Sequence, residues 1–118
     1  MKFVYLAAPL SPIEGETVEG NIERAMAQYQ FLCLEYPDAV FLCQWVLNVQ
    51  VFADTPENRA AGMRRNKAII QELLPRVGGE LWLIGPRISS GMDDEAIWAT
   101  EAAVPVKNFI GPWDEYLK

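Results

Sequence analysis

The stretch ISSGMDDEA, Ile88 to Ala96, concentrates more groups able to do chemistry than any other part of the chain. Two serines, a glycine and three carboxylates follow the apolar run LWLIG and precede a segment patterned as a helix. At such a junction Ser89, Ser90 and Gly91 lie at a helix N-terminus. Amide donors without intrahelical partners and the positive end of the dipole attract a phosphate or carboxylate there. Glycine lets a ligand approach the backbone closely. Glu95, expected within the first turn and kept ionised by nearby backbone donors, suits a nucleophile or a charge stabiliser. The same residues also fit a plain helix start, with Ser90 or Asp93 as N-cap and Asp94 and Glu95 as solvated acids favoured by the dipole. Both readings stand on local sequence.

Other candidates are more diffuse. AAPLSP, after the first apolar run, offers small residues that leave room over a sheet edge, and a tight turn explains them equally well. It lacks the glycine spacing of a dinucleotide site or a P-loop. Gln44, Asn48 and Asn66 are neutral amides suited either to reading a base or ribose or to structural work. Arg64, Arg65 and Lys67 read as a solvated helix face, whereas Arg87 in the loop is the better phosphate ligand. Trp45, Trp82 and Trp98 read as core or interface, with stacking on a base as the alternative for Trp45.

Composition narrows the chemistry. A net charge of −6 denies the chain the positive field that non-specific nucleic-acid binding requires, so no polymeric DNA or RNA partner is expected. The absence of histidine removes the usual general base and the commonest metal ligand, and no metal or cofactor is expected. Catalysis would rest on carboxylates, hydroxyls, amides, Lys or Arg. Cys33 and Cys43 lie in apolar runs and read as buried thiols of a reducing cytoplasm, with a disulfide or a metal site as the alternatives. The apolar run in MKFVYLAAPLSP is too short for a signal peptide, and no stretch approaches a membrane span, so the expected location is cytoplasmic.

These residues need elements to position them. KFVYLA, Lys2 to Ala7, reads as a strand stopped by the prolines of APLSP. Thr17 to Glu35 carries Val18, Ile22, Ala25, Met26, Tyr29 and Leu32 at helical spacing. Ala39 to Cys43 reads as a strand buried on both faces, and QWVLNVQVFADTPE as either irregular chain or a short helix. Glu57 to Leu74 is helical by its periodicity, Glu80 to Gly85 a third strand, Asp93 to Ala103 a helix and Val104 to Ile110 a fourth strand. GPWDEYLK reads as one last helical turn. At 118 residues this is a single domain over 1–118, and the alternation of strand and helix predicts an α/β, doubly wound parallel sheet with helices on both faces. Ligands of such sheets sit beyond the carboxyl ends of the strands at the topological switch point, so the loops APLSP, QWVLN and GPRISSGMDDE are the ones to inspect.

Taken in order, VYLAAPLS, NIERA, GMRRNKAIIQ, ELWLIGPRISSGMDDEA and VPVKNFIG resemble the nucleoside 2-deoxyribosyltransferase-like superfamily. Within it the chain looks most like the small bacterial and phage proteins of the domain of unknown function 4406 type. The resemblance runs over nearly the full chain. It implies a flavodoxin-like sheet of four to five strands and cleavage of the N-glycosidic bond of a nucleoside or nucleoside 5′-monophosphate, with transfer of the sugar to another base or to water. The superfamily's nucleophilic glutamate, in a Gly-x-x-x-Glu context, falls on Glu95 through Gly91 and Met92. Its phosphate-holding Ser-x-Gly falls on Ser89 and Gly91, and its pocket-lining first-strand motif on Tyr5, Ala8 and Pro9.

The chain departs from those relatives where they place an aspartate at the third strand, since it reads Gly78-Gly79-Glu80, and where they have Gly-Asp it has Pro86-Arg87. Asp54, Asp93 and Asp94 are the candidates to orient the base in its place. A non-catalytic nucleotide-binding or sensor protein of the same fold is the alternative function. The resemblance also implies a homo-oligomer, for which the aromatic tail FIGPWDEYL offers apolar surface.

Overall fold

The computed structural model describes residues 1–111. The sheet is built from β1 (Lys2–Ala7), β2 (Ala39–Leu42), β3 (Glu80–Gly85) and β4 (Val106–Ile110), in the order β2-β1-β3-β4, with every pairing parallel. The helices are α1 (Val18–Glu35), α2 (Gln44–Val51), α3 (Pro56–Ala68), α4 (Leu74–Val77) and α5 (Ser90–Glu101). The fold is α/β with the flavodoxin-like strand order, as the alternation of elements predicts. The order reverses between β1 and β3, which makes their carboxyl ends the switch point.

Alternation along the strands supplies two cores. Val4 and Leu6 point to one face with Phe41, Trp82 and Ile84, where Leu32 of α1 covers them. Tyr5 and Ala7 point to the other face with Leu81 and Leu83, beneath Trp45 of α2, Ile70, Leu74, and Met92 and Ala99 of α5. Because both faces are covered, β1 and β3 read as continuous apolar runs. At the opposite, amino end of the sheet Glu80 ties three strands together, bonding Lys2 at 3.1 Å and Lys107 at 3.2 Å.

Several boundaries differ from the sequence expectation for local reasons. The segment QWVLNVQV is helical, and Cys43 is its N-cap rather than the end of β2. The helix after Thr55 does not run unbroken in α geometry to Leu74. A π-helical turn, Ile69–Leu73, joins α3 to α4, just before Pro75, which lacks the N–H an α-helix interior needs. Gly78, at φ 64°, then closes α4. β4 begins at Val106 because Val104 is buried in the core and Pro105 has no N–H to offer. The helix α5 starts at Ser90, three residues before the expected Asp93. Among the described residues no helix is long and apolar enough to cross a membrane. The helical turn expected of the tail lies outside the described residues, as does most of the apolar surface expected to serve an oligomer.

Candidate active site

Ser89 sets where α5 begins. Its side chain accepts from the Met92 N–H at 3.3 Å, while the Ser89 N–H reaches the Met92 sulfur at 3.3 Å. This reciprocal cap makes Ser90 the first helical residue and places Glu95 in the second turn, away from the free amides. Met92 and Glu95 share the buried side of α5 with Ala99. There the Tyr5 hydroxyl of β1 donates to Glu95 Oε2, joining the first strand to the last described helix across the switch point. Tyr5 is 0% and Glu95 6% exposed.

The expectation that backbone donors keep Glu95 ionised is therefore corrected. Burial pushes its carboxyl up to about 7; the Tyr5 hydrogen bond opposes the rise and the nearby Asp94 charge adds to it. Burial likewise raises the Tyr5 hydroxyl well above its usual range, and Glu95 raises it further. The phenol is a fixed hydrogen-bond donor, and the carboxyl is shared between its two protonation states near neutrality.

The other sequence candidates lie on several separate elements. Pro9 packs on Gly85, where a Cβ would come within 2.7 Å of the proline ring and where φ is 106°; both facts call for glycine. Ala8 and Leu10 lie against the core cluster that holds Tyr5 and Met92. Gly91 is open: a Cβ there would meet nothing nearer than the Met63 methyl at 3.9 Å. Gln44 starts α2, half-buried beyond β2, and no hydrogen bond joins it to Tyr5 or Glu95 among the described residues. Trp45 is a core peg rather than a stacking platform, since its indole N–H donates to the Leu6 carbonyl at 2.6 Å. Asn66 is buried with its side-chain oxygen unpartnered, one turn along α3 from Met63.

Arg87, expected to be a free phosphate ligand, is occupied. Its Nη2 lies 2.7 Å from Glu16 Oε1 and donates to the Ser11 carbonyl at 2.8 Å. The Arg87 hydrogen bond is the main reason the Glu16 carboxyl is held down at about 2. Sequence reasoning missed Glu16 altogether. The available signal was its place beside Thr17, the N-cap of α1, where an acid is favoured by the dipole. Of the three acids considered for orienting a base, Asp93 and Asp94 are exposed on α5, Asp94 acting on Glu95 by its charge, and Asp54 pairs with Arg59 at 3.0 Å. Cys33 and Cys43 are free, so the disulfide alternative falls; burial and then Cys33 push the Cys43 thiol up to about 12. Among the described residues no group of three or more Cys, Asp or Glu is placed to hold a metal ion.

The chain belongs to the family described as domain of unknown function DUF7768, which matches residues 2–109. No curated protein and no solved structure matches the chain.

Proposed function

We propose that this DUF7768 chain cleaves or transfers the N-glycosidic bond of a nucleoside or nucleoside 5′-monophosphate, with Glu95 as nucleophile. The observation that carries the reading is the buried Tyr5–Glu95 pair at the β1/β3 switch point. A phenol held against one carboxylate oxygen fixes the rotamer and leaves the other oxygen to the sugar. Ionised Glu95 attacks the anomeric carbon, the bond to the base breaks, and a glycosyl-enzyme ester forms. Water or a second base then takes the sugar and frees the carboxylate. The departing base takes a proton from water or a ligand-borne donor.

Substrate would be seated beside Gly91, where the room next to the backbone is open and the first amides of α5 suit a 5′-phosphate. The resemblance in motif order to the nucleoside 2-deoxyribosyltransferase-like superfamily supports the same reading. A second reading, a nucleotide-binding or sensor protein without catalysis, is favoured by one specific observation: Asp54, Asp93 and Asp94 are exposed, and the hydrogen bond that Glu95 makes is to Tyr5.

The two readings part in one assay. Ribo- and deoxyribonucleoside monophosphates are incubated with wild type and with Glu95→Ala, and free base is measured by chromatography. The enzyme reading expects release from at least one member and its loss in the variant. Binding by calorimetry without any release would establish the sensor instead.

A further inference from the structure

In the order β2-β1-β3-β4, β4 is an outer strand, and its far side has no neighbour within the sheet. The Leu81 N–H donates to the Pro105 carbonyl at 2.9 Å and the Gly111 N–H to the Gly85 carbonyl at 3.2 Å, which fixes the phase of the parallel ladder. Odd-numbered residues of β4 therefore turn their N–H and C=O groups toward β3, and Val106, Asn108 and Ile110 turn theirs outward. The first part of the strand is also uncovered, since Val106, Lys107 and Asn108 are all exposed.

An open edge of this kind is a template for a further strand. The β4 of a second copy fits it by register and charge. In an antiparallel pair with the two-fold axis at Asn108, Val106 stands opposite Ile110 of the second copy, and the outward residues of the two chains exchange main-chain hydrogen bonds along the whole strand. Lys107 stands opposite Phe109 rather than another lysine, and its charge is already met by Glu80 at 3.2 Å. Neither the ladder nor like charge forbids the pairing.

One side chain opposes it. Asn108 Oδ1 accepts from the Ile110 N–H at 2.9 Å, so the outward donor that a second β4 needs at that position is in use. Pairing must break this bond in each chain or leave the opposite Val106 carbonyl without a donor on both sides of the axis. Among the described residues no other bond reaches the outward N–H and C=O groups of Val106 and Asn108, so the edge is otherwise open.

We propose that Asn108 guards the free edge of β4 against pairing with the β4 of a second copy, by holding the Ile110 N–H. An oligomer of the chain then joins through another face. The inference is independent of the chemistry at Glu95.

Amide exchange followed by NMR reads the bond in wild type: relative to its unstructured rate, the Ile110 amide should exchange several-fold more slowly than those of Val106 and Asn108. Asn108 is exposed and belongs to neither core, so its replacement leaves both intact. Asn108→Val removes the acceptor, and Asn108→Gln keeps an amide but carries it one methylene away. Light scattering over a concentration series should show both variants associating at about tenfold lower concentration than wild type or less, since each copy regains an N–H for the pair. In the associated variants the amides of Val106, residue 108 and Ile110 should become protected.

An Ile110 amide that exchanges as fast as its outward neighbours in wild type overturns the guard. Variants that scatter as wild type does overturn it as well, and so does association that leaves the Val106 and Ile110 amides unprotected, because the contact would then lie elsewhere. A wild-type chain whose β4 edge becomes protected as its concentration rises has no guard there.

Discussion

Replacing Glu95 by Gln keeps the size of the side chain and an acceptor for the Tyr5 hydroxyl but removes the titration. In the folded chain the Glu95 carboxyl is raised by burial from its ordinary 4.5 to about 7. The folded state therefore holds this proton more tightly than the unfolded state does. The stability linked to it is fully present below pH 4.5 and is lost as pH rises through 7. At 1.36 kcal/mol per pKa unit the complete loss is about 3 kcal/mol. Urea unfolding followed by fluorescence of the buried Trp45 and Trp82 measures the effect at pH 5 and at pH 8.5. Glu95→Gln should gain on wild type by about 2–3 kcal/mol between those two values, because part of the linkage is already lost at pH 5 and only the wild type must bury a charge at the higher pH. A difference between the two proteins that stays flat with pH would refute the reasoning, since it would mean that Glu95 ionises in the fold as it does in water.

Two further outcomes test the packing. Gln28 of α1 is 1% exposed and both of its amide atoms lack partners, so Gln28→Met should stabilise the fold by roughly 1–2 kcal/mol in the same assay; a loss of that size would show that the amide is hydrogen-bonded in solution. Gly85→Ala should cost about 2 kcal/mol or more, because alanine at φ 106° is strained and its Cβ meets the Pro9 ring. A neutral result there would mean that Pro9 moves off β3 freely.

Elements whose signal is local were legible in the sequence, and contacts between distant segments were not. β1 and β3 have the limits read from their apolar runs, since a strand covered on both faces shows little else. For α1 the reading misses by one residue, Thr17 being its cap. At α5 the acids Asp93 to Glu95 looked like the helix start, and the reciprocal Ser89–Met92 cap, which draws on a methionine sulfur, is not a recognisable signature. That displacement of three residues reversed the reading of the Glu95 charge. Ser89, Gly91 and Glu95 were singled out from local pattern, but the Tyr5–Glu95 and Arg87–Glu16 pairs cross 90 and 71 positions of sequence, and no periodicity reports a contact of that kind.

That 90-residue span between Tyr5 and Glu95 has a bearing on biosynthesis. A ribosome delivers β1 before α5, so the Tyr5 phenol has no Glu95 carboxyl to meet until the 89 residues between them have been made. Tyr5 stands in an inner strand, between β2 and the later-made β3, with α5 packed above it. The Tyr5–Glu95 pair consequently forms only once α5 has been made, and a chain released before residue 95 lacks it.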